Sequence, residues 1–422
     1  MVVSQKKFFM ITFALTLLIK ALDGIPAFGN SPSYFIYAFS LIWLFAIFAK
    51  KRMKYSFLRS HGVKIVLFLC LYFLVWGTSL VAPGVSRVDI NHELFRKMMM
   101  ILFIFVSLFW ISYYSCITEV IHYVYIFLSC YLLVLFVLHV GDINLSLTIS
   151  LFWNTHSADR YRTLFGYNSS NIVAELAMTV ILLSLIENTK LRKGTINKFL
   201  LWLLDAVMML IIISGNSRGT FLASLIMLII YVFFKLLRNK NTNEIVRTCL
   251  PIVVMSIIAI LFYLFRLGWT FDKFLSMINR NHLLINVNIV NSLGRSIIGL
   301  GNLSGGYFSK GNYINGYKTD YMEMFYAGVF VRSGYIGLII IILLLIYIFE
   351  LLVRIGKYDN SFFSKWVIVV FCYMIFISFF EQYLFSDGYA SSMLFLILTL
   401  SYINEFEKYN LYKSKGVKEN IL

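Results

Sequence analysis

Polar clusters interrupt an otherwise apolar chain of 422 residues, and their side chains are of the kinds that hold anions and move protons. One is Arg162-Thr-Leu-Phe-Gly166-Tyr-Asn168-Ser-Ser-Asn171, directly before an apolar run. A guanidinium there would sit beside free helix N–H groups and the positive end of a helix dipole, a combination suited to an anion. The plainer reading is an interfacial arginine and an asparagine cap. A second is Ser214-Gly-Asn-Ser217-Arg218-Gly219, a short turn between two apolar runs. A guanidinium fixed at such a turn is shaped for phosphate; the alternative is a hairpin whose arginine reaches toward water. A third is Gly294-Arg295-Ser-Ile-Ile-Gly299-Leu-Gly301-Asn302. Its glycines would allow a tight backbone beside a ligand, although it is no dinucleotide fingerprint, because no βαβ context surrounds it. Otherwise it is an ordinary loop.

The remaining cluster is Asp320-Tyr-Met-Glu323-Met, followed by Gly334-Tyr-Ile-Gly337. It sets a carboxylate where a long polar stretch returns to an apolar run. Partial burial would raise the pKa of such a group and suit it to general-base work; the alternative is an acidic residue complementing a helix start. Glu175 and Asp205 lie inside apolar runs, where ionisable groups are functional candidates by default. Glu175 follows Asn171 closely enough to join the first cluster, whereas Asp205 reads as paired with a polar neighbour. Glu381 and Asp387, near the end of the chain, are placed to edge the same cavity.

The elements that must position these residues are transmembrane helices. The chain is 60% hydrophobic and 14% charged, against roughly 25% charged in a soluble domain. Apolar runs of about 20 residues recur, and they do not alternate as barrel strands would, so helices satisfy the backbone. Spans are expected near 8–24, 33–49, 63–82, 98–115, 119–140, 171–187, 198–214, 219–236, 248–266, 326–350, 365–380 and 388–404. The N-terminal run after Lys6 and Lys7 lacks a small-residue cleavage site and is read as the first retained helix.

The net charge of +17 is not a nucleic-acid signature, because the cations gather in short gaps: Lys50, Lys51 and Arg52; Lys190, Arg192 and Lys193; Lys235, Arg238 and Lys240; Arg354 and Lys357. That is the pattern of cytoplasmic loops. With the N-terminus inside, all these gaps and the lysine-rich tail fall on the cytoplasmic side. Segments 141–170 and 267–325 fall outside, the second as a cap with short helices that covers the site. Arg96 and Lys97, on the expected outside, make 83–118 the least regular stretch. Five cysteines show no CxxC pair and no metal spacing with the six histidines. The expected fold is thus an all-α integral membrane protein of about 12 helices, one polytopic domain over 1–422.

The order of these clusters resembles the O-antigen ligase/polymerase superfamily of bacterial membrane glycosyltransferases. An arginine with Gly and Asn precedes a span, S-R-G stands at a short turn, a large loop follows, and an acidic residue lies eleven positions before a GxxG. The likeness covers roughly residues 160 to 340; the flanking helices agree only in character. It implies a GT-C-like enzyme at the outer face of the bacterial cytoplasmic membrane, acting on saccharide carried by undecaprenyl diphosphate, with no metal and no cofactor. Arg162, Arg218 and Arg295 would hold the diphosphate, and Arg160 and Arg332 are candidates for a second anion site. Asn171, Glu175 and Asp320 would be accessory.

Ligases of this superfamily carry histidine where this chain has Glu323. A carboxylate can still deprotonate an attacking hydroxyl, and the departure favours the polymerase branch, in which one lipid-linked repeat unit is joined to a growing lipid-linked chain. The expected function is therefore an O-antigen, capsular or exopolysaccharide polymerase, with a chain-length regulator as a candidate partner and no nucleic-acid partner. The rivals are a ligase that moves finished polymer to a lipid or cell-wall acceptor, and a flippase for lipid-linked oligosaccharide. Paired halves, often found in transporters, are not evident in the sequence.

Overall fold

The computed structural model describes residues 4–29, 31–49, 55–78, 87–150, 161–190, 195–236, 282–301, 313–314, 316–318, 324–359, 361–386 and 388–414. The described chain is overwhelmingly helical. Helices α1 (Gln5–Ala21), α2 (Ser31–Ala49), the single turn α3 (Tyr55–Leu58), α4 (His61–Thr78), α5 (Arg87–Tyr114) and α6 (Ile117–His139) form the first half. The short α7 (Leu145–Ser150) precedes α8 (Ser170–Lys190), α9 (Thr195–Ser214) and α10 (Arg218–Leu236). Then come α11 (His282–Ser292), a two-residue antiparallel hairpin of β1 (Tyr313–Ile314) and β2 (Tyr317–Lys318), α12 (Phe325–Tyr358), α13 (Phe362–Ile377) and α14 (Ala390–Ser414).

Every expected span that falls on described residues coincides with a helix to within a few residues at most ends; the span 248–266 lies outside the described residues. Three ends differ more. Helix α5 starts at Arg87 rather than near 98, and it carries Lys97 buried in the bundle and Arg96 half-buried. At the other end of the chain, α12 and α14 run on through the basic segments that follow their apolar cores. Five described helical stretches are long and apolar enough to cross a membrane: Ser31–Ala49, Leu94–Tyr114, Ile117–Asp142, Ser170–Thr189 and Phe325–Tyr358. Helices α2, α4, α6, α9 and α12 expose large apolar side chains, among them Phe45, Leu71, Val137, Trp202 and Leu343. Soluble monomers seldom show such extensive patches, whereas lipid-facing surfaces require them.

The long helices alternate in direction. One end of the bundle gathers the C-terminal ends of α1, α4, α6, α9 and α13 with the N-terminal ends of α8, α10 and α12. Hydrogen bonds fix this grouping: Thr163 N–H to Ser214 O (3.0 Å), Asn168 N–H to Gly24 O (2.8 Å) and Phe325 N–H to Ser378 O (3.2 Å). The opposite end holds Lys6 bonded to Glu119, His61 to Glu407 and Tyr402 to Asp359. Arg354, Lys357 and Lys408 stand on the helix segments that lead to that basic end.

Helix α8 runs through the middle, packed against α6, α9, α10, α13 and α14. It is buried on nearly every side, and the polar groups it carries inward, Glu175 and Ser184 among them, are hydrogen-bonded. Trp366 on α13 donates its indole N–H to Leu182 O on α8 (2.7 Å), and Trp110 on α5 does the same to Trp43 O on α2 (3.1 Å). Phe9, Phe13, Phe39, Trp43 and Phe103 interlock α1, α2 and α5 through edge and stacked contacts.

Helix α12 is broken at Gly334, whose φ is +62° and ψ −162°. The break removes the bonds that Tyr335 and Ile336 would donate to Val331 and Arg332. Segment 296–301 replaces them. Tyr335 N–H donates to Ser296 O (2.8 Å) and Ile336 N–H to Ile297 O (3.2 Å), while Leu300 and Gly301 N–H donate to Val331 O (2.9 Å) and Arg332 O (2.8 Å). Trp76 on α4 clamps the segment by donating to Ile298 O (3.1 Å). The brace lies so close that a Cβ on Gly334 would be 2.3 Å from Ile297 O, and one on Gly299 2.4 Å from Arg332 C. Gly337 leaves room for Ser333, whose hydroxyl pairs with Tyr72 (2.7 Å).

The brace gives a graded expectation. Gly294 also has positive φ (+64°), but nothing lies within 4 Å of its would-be Cβ. Gly294→Ala should therefore cost only the left-handed strain, about 1 kcal/mol. Gly334→Ala and Gly299→Ala add a backbone collision and should cost at least about 3 kcal/mol. Thermal unfolding of the detergent-solubilised protein measures both; equal losses would show that the brace is not tightly packed.

Candidate functional site

The site is built where short loops meet helix starts. In 161–169, Phe165 and Gly166 take positive φ (51° and 78°), turning the chain sharply before α8. Phe165 and Tyr167 plug the bundle, and Tyr167 donates to Ala21 O (2.8 Å) and pairs with Tyr131 (2.5 Å). These anchors hold Arg162, half-buried, against the loop that joins α13 to α14. Burial pulls the Arg162 pKa below its ordinary value, and the nearby Glu381 carboxylate pulls it the other way. The Arg162 Nε is buried with no hydrogen-bond partner.

Glu381 is the hub of this cluster. It is 8% exposed and accepts from Asn171 Nδ2 (2.6 Å) and the Tyr389 hydroxyl (3.2 Å). Its loop reaches the S-R-G turn because Gly219 has no side chain: a Cβ there would lie 2.9 Å from Phe380 Cβ. Arg218, the first residue of α10, lies within electrostatic reach of Arg162. Two guanidiniums close together repel, and the Glu381 carboxylate offsets part of that repulsion at Arg162.

Glu175 holds the turn from below. Completely buried, it accepts from Thr220 Oγ1 (2.8 Å) and from the Tyr373 hydroxyl, while Ser217 Oγ donates to Thr220 Oγ1 (2.9 Å). The carboxylate thus fixes the residues on both sides of Arg218. Asp205, by contrast, accepts from Ser184 Oγ (3.0 Å) in the α8–α9 contact, the polar helix neighbour that its sequence position suggests.

A second basic group lies across the same loop. Arg332, just before the break in α12, lines a narrow cleft of about 30 Å³ with Lys97, Tyr72, Trp76 and Gln382. Lys97 is 5% exposed and stands over the Phe73 ring at 5.8 Å. The Arg332 Nε is also buried with no hydrogen-bond partner. Glu381 and Gln382 are consecutive, so one loop contributes to both groups.

The structure therefore brings Arg162 and Asn171 to Glu381, sets Arg218 within reach of Arg162 with Glu175 holding its turn, and places Arg332 in a cleft lined by the next residue, Gln382. Arg295 stands half-buried at the head of the brace, its N–H bonded to Val290 O (3.0 Å). Arg160, Asp320 and Glu323 lie outside the described residues, as does Asp387. Lys97 and Gln382 were not singled out as site residues in the sequence. The only hint for Lys97 was a cation beside an apolar run at the end of the bundle opposite the other basic clusters. Comparison with known protein families finds no match to this chain, and comparison with curated proteins finds none either.

Glu381 acts as a resident counter-ion for Arg162, so a bound anion has to compete with it. Glu381→Gln keeps an oxygen to accept from Asn171 while removing the charge. It should tighten inorganic pyrophosphate binding severalfold, by up to about 1.4 kcal/mol. Titration calorimetry reads this directly; weaker binding in the variant would mean that the carboxylate orders the site instead of competing for it.

Proposed function

We propose that the protein is a membrane glycosyltransferase that polymerises polyprenyl-diphosphate-linked saccharide, as in O-antigen or capsular polysaccharide synthesis. The observation that carries the reading is the Arg162–Arg218 pair, one in the loop before α8 and one opening α10, with the buried Nε of Arg162 unbonded and Glu381 beside it. The resemblance in motif order supplies the chemistry. On this reading the chain makes twelve passes, the span 248–266 included. The basic end of the bundle faces the cytoplasm by the positive-inside rule. The site end then faces outward, where lipid-linked repeat units are presented.

In the proposed reaction, a sugar hydroxyl of the acceptor attacks the anomeric carbon of the donor. The new C–O bond forms as the bond to the lipid diphosphate breaks, and that electron pair leaves on the diphosphate. The hydroxyl proton passes to Glu323. Arg162 and Arg218 offset the charge that grows on the leaving oxygen. Cations already in place in a water-poor site are a strong catalytic term, because nothing has to reorganise as charge develops. Glu175 is a positioning residue here, fixing Ser217 and Thr220 around Arg218 without touching substrate.

Arg162→Ala, Arg218→Ala and Glu323→Gln should each reduce polymer at least about 100-fold while the protein still inserts in the membrane. Gel profiles of surface polysaccharide provide the readout, and wild-type chain lengths in Glu323→Gln would remove that residue from the base role. In a deletion strain, acceptor bearing a single repeat unit is expected. Full-length polymer stranded on the polyprenyl carrier would point to a ligase and overturn the polymerase assignment. Elongation by the purified protein, without a gradient, would exclude transport as its main activity.

A further inference from the structure

We infer that the groove between the N-terminal part of α4 and the middle of α12 is a binding site for an anionic phospholipid, with one acyl chain against the apolar walls and the phosphate on Lys64. The inference goes beyond the glycosyltransferase reading and does not depend on it. With the basic end inside, the lipid comes from the cytoplasmic leaflet.

The groove has room for about 440 Å³, within the range of about 300–1,000 Å³ usual for ligand sites. Ile65 and Leu344 are buried at its floor, and Phe68 and Leu343 stand exposed on its rims. Lys64 and Tyr347 close it at the basic end. Ile340, Leu343, Leu344 and Tyr347 recur at helical spacing, so one face of α12 lines it. From Tyr347 to Ile340 that face runs about 10 Å at 1.5 Å per residue, most of the ~15 Å half-thickness of a bilayer's hydrocarbon core. The groove thus takes one chain of one leaflet, with the head group at the level of Lys64.

Charge selects the occupant. Lys64 is exposed, and among the described residues its ammonium has no hydrogen-bond or ion-pair partner. The groups around it are already matched. His61 pairs with Glu407 (3.1 Å) and with the Tyr347 hydroxyl, and Arg354 pairs with Glu350 (2.7 Å). The first N–H groups of α4 are taken as well: His61 N–H donates to Glu407 Oε2 (3.0 Å) and Gly62 N–H to Asn404 Oδ1 (3.0 Å). Lys64 thus stands at the mouth of an apolar groove with its charge unmatched, and both it and Arg354 lie within electrostatic reach of His61. A single phosphodiester complements that charge, and basic pockets between helices on the cytoplasmic side are known to take anionic head groups. An ethanolamine ammonium would meet Glu350 already neutralised by Arg354, so a zwitterionic head gains less. The contacts of His61 with Tyr347 and Glu407 fasten α4 to α12 and α14, which holds the groove walls in place before a lipid arrives.

The test uses the full-length protein in a neutral detergent. Phosphatidylglycerol, phosphatidylethanolamine and phosphatidylcholine of equal chain length are the probes, and native mass spectrometry measures the first lipid retained. Phosphatidylglycerol should bind about fivefold tighter than the other two. Lys64→Gln should raise its Kd by about the same factor and erase the preference. Lys7→Gln, which removes a charge from the same end of the bundle on α1, should do neither. Leu343→Trp, on an exposed rim, should weaken all three lipids, with Phe45→Trp on the outer face of α2 as its control. A photoreactive phosphatidylglycerol should label peptides from α4 and α12, which gives a second readout if a variant folds poorly. The inference is overturned if the three lipids bind alike, if Lys64→Gln behaves like Lys7→Gln, if Leu343→Trp behaves like Phe45→Trp, or if labelling falls elsewhere. It is also overturned if equimolar undecaprenyl phosphate displaces phosphatidylglycerol, which would make the occupant a prenyl carrier. None of these outcomes involves polymer formation, so the glycosyltransferase reading stands or falls by its own test.

Discussion

A helix that breaks inside a bundle has to satisfy the backbone groups it frees, and in this protein that requirement organises the site end. Gly334 interrupts α12, and segment 296–301 takes over the bonds that the break removes. In an apolar surrounding each group left open would cost several kcal/mol, so the break and the brace are obligatory partners. The consequences extend outward from there. Arg332 is held at the edge of the cleft by its own carbonyl, which accepts from Gly301. Ser333 is held against Tyr72, and Trp76 is drawn onto Ile298. Irregular backbone is thus used where it lines a cavity and is covered by protein on its other side.

The loop between α13 and α14 ties this region to the arginine pair. Glu381 faces Arg162 and Asn171, while Gln382 faces the cleft that contains Arg332 and Lys97. In the proposed reaction, two lipid diphosphates would need two anion sites near one another and a means of keeping their charges in register. Consecutive residues of one short loop, pinned by Ser378 and Tyr389, are a compact way to provide that. The proximity of Arg162 and Arg218 disfavours both charges, and Glu381 offsets part of that cost. In the proposed chemistry the same preorganised charge then stabilises the leaving group.

Much of the scaffold was legible in the chain itself. Long apolar runs separated by basic gaps located the helices, because a span must be about 20 residues long and its polar flanks must lie outside the lipid. Motifs with a local physical cause were also readable. Asn171 lies at the start of α8, Arg218 opens α10, and Glu175 lies within reach of the turn it supports. The hydrophobic stretch 283–290 lies within α11. The start of α5 was misplaced, since a helix with charged residues in its first turns gives no apolar signal there. Lys97 was read as an irregularity on the outside, whereas packing against Phe73 from another helix buries it.

What the sequence determined by itself is the class of structure and the supply of chemistry. It gave helices because only helices satisfy backbone in lipid over such runs, and it offered a set of arginines, carboxylates and glycines in a suggestive order. The tertiary structure decided which of these meet. Glu381 pairs with Asn171 across more than 200 positions of sequence, and Gly299 and Gly334 owe their necessity to each other's backbone. The use of Gly337 depends on Ser333 and on Tyr72 from a distant helix. Contacts of this kind are set by the distances between packed helices, which no local spacing encodes.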